Sequence, residues 1–180
     1  NPNPNQPPQC VAGALTVTGS QPVLDATWGT NGWTTFQAVG GSSYYQSSGL
    51  VPTSDSNFLL IGSTEGSNGR QAIDVRKFDA TGALVNAFGT GGRLEIEDNT
   101  ASLYPSRTAV DSTGKIYLIA MGNQAGSAWS IRLTSTGTLD TSYDTDGILP
   151  LSNLPGEGVF SFAPSASGDV YVVSSSFGNN

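Results

Sequence analysis

Short apolar runs, each entered through a polar turn, recur along this chain. Residues 111–120 contain such a turn with a glycine before an apolar run, and residues 55–62 and 165–173 have the same pattern. Glycine or asparagine in the turn tolerates positive φ, and a β-branched run after it is typical of a hairpin entering a buried strand. Because no segment has helical periodicity, the pattern predicts an all-β protein with above about 40% strand and below about 10% helix.

A longer motif recurs at a spacing near sixty residues. Residues 24–33, 84–93 and 139–148 each begin with leucine, carry an aromatic residue in the middle and contain a glycine as the last residue but one. These final glycines are 60 and 55 residues apart. The aromatic residues of the motif are equivalent, and we expect them in the core: they are Trp28, Phe88 and Tyr143.

An alternating segment that closes on a glycine turn occurs twice, over residues 73–82 and 129–137. Matching the two segments on their arginines places Arg76 and Arg132 at the same position of two repeats. A position filled alike in successive repeats is expected to be structural, so a buried or inter-blade ion pair is predicted for both side chains rather than ligand binding.

Together these markers predict three repeats of four antiparallel strands. In the second repeat the strands are expected near residues 93–97, 107–110, 115–120 and 128–134. Four consecutive antiparallel strands are typical of one propeller blade, and the runner-up is a β-trefoil, which also has three four-stranded repeats. The β-repeat domain is predicted over residues 14–180, with repeats at about 24–82, 83–137 and 138–180, after a Pro/Asn-rich tether at 1–13.

The order of these markers resembles the delta-60 repeat, a bacterial family with a unit near sixty residues. Its Leu-Asp-x-x-Phe-Gly-x-x-Gly opening is similar to residues 24–32, 84–92 and 139–147, and its Asp-Gly-Lys hairpin is similar to residues 111–115. Asn57 stands where the first hairpin would have its glycine. The resemblance implies a propeller-like fold and a secreted or surface-anchored protein, and it implies no known chemistry.

Three blades are fewer than the roughly four to eight of a propeller. Residues 14–18 alternate and precede Leu24 as residues 131–134 precede Leu139, so this strand is predicted to complete the last repeat. Unclosed repeats would expose sheet edges, and we therefore expect a homo-oligomer, either a two-chain six-bladed ring or an open polymer. Cys10 would then lie near a subunit boundary.

Composition narrows the possible functions. The net charge of −7 disfavours nucleic acid and anionic membrane surfaces as partners, and no apolar run is long enough for a transmembrane helix. The chain has no histidine and one cysteine, which argues against zinc and an internal disulfide. The acidic residues Asp140, Asp144 and Asp146 are interpreted as turn residues, so no metal or cofactor is expected. Low charge with abundant Ser, Thr and Gly favours an extracellular or cell-surface location.

Three aromatic residues do not fit the repeat pattern: Trp33, Tyr44 and Tyr45. Arg93 and Ile148 occupy the place of Trp33 elsewhere, and the two tyrosines lie in a Gly/Ser-rich stretch. Aromatic side chains among small polar neighbours suit sugar stacking or protein contacts. The sequence therefore predicts a non-catalytic extracellular binding or adhesion module that recognises a glycan or protein, or alternatively a structural subunit of a self-assembling surface multimer or fibre.

Overall fold

The computed structural model is an all-β molecule. It describes residues 9–13, 15–18, 21–37, 45–123, 127–151, 158–165 and 167–175. Within these ranges there is no helix, and hence none that could cross a membrane. The strands include more than 40% of the chain, which confirms the predicted class and strand content.

The described residues form fourteen strands, and their bounds in chain order are as follows. They are β1 (Gln9–Gly13), β2 (Leu15–Thr18), β3 (Gln21–Leu24), β4 (Trp33–Gln37), β5 (Tyr45–Pro52), β6 (Phe58–Glu65), β7 (Gln71–Phe78), β8 (Arg93–Ile96), β9 (Leu103–Val110), β10 (Ile116–Gly122), β11 (Ala128–Leu133), β12 (Ile148–Pro150), β13 (Gly158–Pro164) and β14 (Val170–Ser175).

These strands form antiparallel sheets in which neighbours largely follow chain order. Sheet one contains β5-β6-β7-β8 and sheet two contains β9-β10-β11-β12. Three further sheets have two strands each: the N-terminal pair β1 and β4, the hairpin β2–β3, and the C-terminal pair β13 and β14. Two predicted four-stranded units are therefore present, and the described part of the third has two strands.

The predicted membership of the four-stranded units is wrong by one strand. Residues 93–97 were expected to begin the second repeat, but β8 pairs with β7 and is the last strand of sheet one. The long motif returns the chain alongside β7, where Val85 N donates to Lys77 O at 2.9 Å and Lys77 N donates to Gly92 O at 3.0 Å. Sheet two therefore begins only after the long motif and the fourth strand of sheet one. Sheet one likewise begins after the motif at residues 24–33 and β4.

The predicted equivalence of Arg76 and Arg132 is also wrong. Arg132 N donates to Gly147 O at 2.9 Å, the same bond that Lys77 makes to Gly92 in sheet one. Lys77 is therefore the counterpart of Arg132, and Arg76 projects from the opposite face because side chains alternate along a strand. Both arginines are nevertheless buried in ion pairs, as expected: Arg76 binds Asp74 at 2.7 Å and Arg132 binds Asp140 at 2.9 Å.

The start of the chain differs from the predicted tether. Residues 9–13 form β1 and pair with β4, while residues 15–18 form β2 and pair with β3. The preceding eight residues and Ala14 lie outside the described ranges. That residues 14–18 complete the last repeat stays a prediction.

The main core lies between sheets one and two. Alternate residues of β6 and β7 point into it, including Leu59, Ile61 and Val75, and they form one cluster with residues of β10 and β11 such as Leu118 and Ile131. All five are buried. A smaller cluster on the opposite face of sheet one joins it to the N-terminal pair, and its buried members are Phe36, Leu60 and Phe78.

The long motif also holds successive sheets together through an aromatic ring on a glycine. Phe88 is buried against Gly137 of sheet two, and Gly89 N donates to Thr136 O at 2.8 Å. Trp28 lies in the same way on Gly82, next to a bond from Gly29 N to Thr81 O. The prediction of core aromatics is confirmed for Trp28 and Phe88, whereas the third, Tyr143, is only partly buried and belongs to neither core cluster.

The hairpin turns before β10 and β14 are formed as predicted. Gly114 has φ 84° and Gly168 has φ 92°, in the left-handed region that favours glycine. In the first hairpin this position is held by Ser56, with φ 63°, and not by Asn57 as predicted. Thr53 N donates to Asn57 O as Asp111 N donates to Lys115 O, so Asn57 is the structural equivalent of Lys115 in the second hairpin.

We expect Gly137→Ala to lower the free energy of unfolding by about 2–4 kcal/mol. A Cβ there would lie 2.8 Å from two Phe88 ring atoms, on a backbone with φ 77°. Gly69→Ala is the matched control, because Gly69 has φ 74° and nothing within 4 Å of such a Cβ. The control should lose only about 1 kcal/mol in urea denaturation. Equal losses would show that the ring-on-glycine contact contributes nothing.

Candidate binding cleft

A β-bulge occurs at the same place in the first strand of sheet one, of sheet two and of the C-terminal pair. The register shifts between Ser47 and Gly49 in β5, between the residues paired with Ile119 and Ala120 in β9, and between Val159 and Ser161 in β13. A bulge bends its strand and redirects the side chains beside it, and bulges are frequent next to functional sites. The repeated bulge therefore marks one end of the stacked sheets.

A polar cleft of about 340 Å³ lies beside the first two bulges, between β5 and β9. Its lining is rich in hydroxyl and amide groups, with one aromatic side chain, and consists of Gln46, Ser47, Ser48, Ser63, Tyr104 and Pro105. Tyr104 is 37% exposed, so part of its ring is available to a ligand. Hydroxyl and amide groups beside one aromatic side chain can hydrogen-bond and contact a polar ligand.

The two sides of the cleft are held by the sheets that carry them. Ser48 Oγ donates to Ile61 O at 3.2 Å, which anchors the bulged residue to β6. Ser63 is buried, and Tyr104 pairs with Met121 in the ladder between β9 and β10. The polar groups and the ring are therefore positioned by strands rather than by loops.

Two of the three residues that the sequence predicted as a binding site, Trp33 and Tyr45, lie within the described ranges. Trp33 is 45% exposed at the start of β4. Tyr45 is partly buried, with its ring edge-on to Phe36 at 5.4 Å and 5.7 Å from the Arg76 guanidinium. Its ring packs in the smaller core cluster, although the adjacent Gln46 lines the cleft. Tyr44 lies outside the described residues, so the predicted trio as a site stays a prediction.

Sequence reasoning missed Tyr104 because the strand containing it was expected to begin at Arg107. The bulge before Arg107 interrupts the alternation of β9, so the apolar pattern indicated only the end of the strand. One sequence signal could have indicated it. Two consecutive residues without a large apolar side chain occupy the bulge position in both strands, Ser47 and Ser48 in β5 and Pro105 and Ser106 in β9.

A second cleft of about 230 Å³ lies at the other end of β5, between the hairpin turns of sheets one and two. Thr53, Asp55, Lys77 and Thr113 contribute to its walls. Lys77 Nζ contacts Asp55 at 2.7 Å. Burial opposes ionisation of Asp55, but hydrogen bonds from Lys77 and Thr53 outweigh it and lower its pKa to about 2. The charges in this cleft are thus already paired with each other.

Acidic side chains serve turn geometry in a recurring Asp-x-Thr/Ser arrangement. In each case the carboxylate accepts hydrogen bonds from the N–H and the hydroxyl two residues later. This Asx-turn contact satisfies backbone donors that the turn leaves unpaired. The residues are Asp25, Asp79, Asp98, Asp111 and Asp140, and each has a lowered pKa.

Asp140 and its acidic neighbours are also structural. Asp140 contacts the side chains of Arg132 and Lys115, each at 2.9 Å, and Asp146 Oδ1 accepts from Ile148 N at 2.9 Å. The hydrogen bond from Ser142 lowers the pKa of Asp140. Burial opposes this effect, but the hydrogen bond from Lys115 adds to it, and the pKa lies well below its ordinary value. Among the described residues no group of three potential metal ligands is found.

Glu95 lies in β8 and Glu97 directly follows the last residue of that strand, and their two carboxyl groups are in contact. Burial raises the pKa of Glu95, and contact with Glu97 adds to the increase. Arg93 binds both Asp74 and Glu95, while Glu97 accepts from Ser67 N and Ser67 Oγ. The pair thereby ties β8 to the turn before β7.

Comparison of this chain with family models, with curated proteins and with solved structures finds no match. The resemblance to the delta-60 repeat therefore stays a prediction.

The lowered carboxylate pKa values predict a loss of stability in acid. A folded-state pKa below the unfolded value of about 3.9 stabilises the fold above that pH, and this contribution disappears as pH falls through the folded pKa. The free energy of unfolding should thus be nearly constant from about pH 7 to 5 and fall between about pH 5 and 2. Asp140→Asn should have a shallower slope in that window; an unchanged slope would contradict the role given to Asp140.

Proposed function

We propose that this protein is a non-catalytic extracellular binding module that recognises a glycan through the cleft between β5 and β9. The observation that carries the proposal is that one cleft is lined by the 37% exposed Tyr104 and by three serines of the neighbouring sheet. A sugar presents C–H groups on one face and hydroxyls around its rim. An aromatic ring can stack on the first, and Ser and Gln side chains can hydrogen-bond the second.

The charge of the cleft and of the chain favours a neutral glycan. The six lining residues of the cleft are uncharged. The chain as a whole has a net charge of −7, which repels anionic ligands at long range. A neutral or weakly charged saccharide therefore fits better than a phosphorylated or sulfated one.

Binding without chemistry is supported by the residues that the cleft contains. General acid–base catalysis usually needs a carboxylate, histidine or lysine within reach of the substrate. The lining has none of these, and the acidic groups described above take part in turns and ion pairs. The extracellular location is proposed from the low charge, the abundance of Ser, Thr and Gly and the resemblance to a secreted repeat family.

A second candidate function is self-assembly into a surface multimer. The specific observation is that Tyr171 and Val173 are 68% and 62% exposed on one face of β14. Adjacent exposed apolar side chains on a sheet indicate a surface that another protein covers. This function does not exclude the first, because β14 lies outside the cleft lining.

Tyr104→Ala should weaken glycan binding about tenfold or more, because the stacking surface is lost. The measurement is a glycan array to find the ligand, followed by calorimetric titration of the best saccharide. Trp33→Ala is the matched control, since it removes an exposed aromatic side chain outside the cleft. Loss of binding in the Trp33 variant with retention in the Tyr104 variant would move the site to the residues predicted from sequence.

A further inference from the structure

Sheets one and two have the same arrangement of strands, bulge and long motif, and this arrangement, called the plan below, defines a complete unit. Each has its strands in the order first, second, third, fourth, a bulge in the first strand and a long motif between the third and fourth strands. The first strands β5 and β9 are neighbours, and β13 lies against β9 and β10. The C-terminal pair therefore follows sheet two in the stack as sheet two follows sheet one.

The C-terminal pair has only the first half of this plan. Its bulge at β13 and its turn before β14 match those of sheet two, so β13 and β14 are a first and a second strand. Among the described residues, the outer edge of β14 pairs with no strand. Tyr171 occupies the place of Tyr117 and Val173 that of Ile119, yet both residues of sheet two are completely buried.

The N-terminal pair has the second half of the plan. β4 follows the motif at residues 25–32 as β8 follows residues 85–92, and Gly32 N donates to Trp28 O at 2.9 Å as Gly92 N does to Phe88 O. β4 is thus a fourth strand. Its partner β1 holds the place of a third strand, and within the described ranges the other edge of β1 is unpaired.

These two halves lie at opposite ends of the stack. Phe36 of β4 packs on sheet one in a cluster with Leu60 and Phe78, and Arg76 Nη2 donates to Gln37 O at 3.0 Å. The C-terminal pair packs on sheet two, where a Cβ on Gly168 would lie 3.2 Å from Arg132 Nη1. Joining the halves within one chain would require a ring of three sheets, fewer than the roughly four that propeller rings need.

The N-terminal end of the stack also has an exposed apolar residue. Leu50 is 49% exposed on β5, opposite Leu60 and so on the face of sheet one that carries the N-terminal pair. The equivalent face of sheet two is covered by Leu59 and Ile61, the counterparts of Tyr171 and Val173. The face of β14 that carries Tyr171 and Val173 is therefore equivalent to the face of sheet one that packs on sheet two. The same kind of face could cover Leu50 at the other end of the molecule.

We propose that a second copy of this chain completes the split sheet, with β14 of each copy pairing with β1 of the other. The two contacts are identical and related by a two-fold axis, so the assembly closes and leaves neither β14 nor β1 with an unpaired edge. It contains six four-stranded sheets, two of them shared between the copies. This inference rests on the second candidate function and is independent of glycan recognition.

The test measures mass in solution by light scattering at micromolar concentration. We expect the mass of two chains for the unaltered protein, and the mass of one chain for Val173→Lys and for Leu50→Glu, with unchanged circular dichroism. Both side chains are largely exposed, so neither change should prevent folding. Mixing the two variants should restore the two-chain mass, because one contact then pairs Lys with Glu and the other has the original residues.

Tyr104→Ala is the control that separates the two proposals. It should weaken glycan binding about tenfold or more and leave the two-chain mass unchanged, whereas Val173→Lys should leave glycan binding unchanged and reduce the mass to one chain. A one-chain mass for the unaltered protein would overturn the proposal. So would a mass that grows beyond two chains with concentration, or a mixture of the variants that stays at the mass of one chain.

Discussion

The stacking of these sheets depends on the fact that sheet one is apolar on both faces. Leu59 and Ile61 point to one side and Leu60 and Phe78 to the other, and all four are buried. An antiparallel sheet with one apolar face can leave the other in water, but a sheet with two must be covered twice. Each unit therefore needs a neighbour on both sides, and the residues at the two ends of the stack stay exposed for the same reason.

Glycine and short polar side chains make this stacking possible with few charges. Glycines at 82 and 137 let a ring and a backbone N–H of the preceding unit approach closely. Aspartates followed two residues later by Thr or Ser satisfy the donors of the turns. Much of the acidity of the chain is thereby used in local structure, and it does not form a catalytic cluster among the described side chains.

The candidate cleft depends on the same architecture. Because the bulge recurs in first strands that lie side by side, polar residues from β5 and a tyrosine from β9 come to one end of the stack. The two proposed activities use different parts of one plan: the glycan cleft lies between complete sheets, and the association surface lies where a sheet is divided between the ends of the chain.

The sequence by itself determined the all-β class, the strand content, the hairpin turns at Gly114 and Gly168 and the burial of Trp28 and Phe88, because turn chemistry and alternation act over a few residues. Only the tertiary structure decided that β8 is the last strand of sheet one and not the first strand of sheet two. The sequence of a strand does not specify whether it pairs with the strand before it or with the strand after it. The tertiary structure also decided that Lys77, not Arg76, corresponds to Arg132, because a shift of one residue reverses the face. Tyr104 and the cleft were beyond prediction for a similar reason. They are created by a bulge that interrupts alternation and by the contact of two strands far apart in the chain.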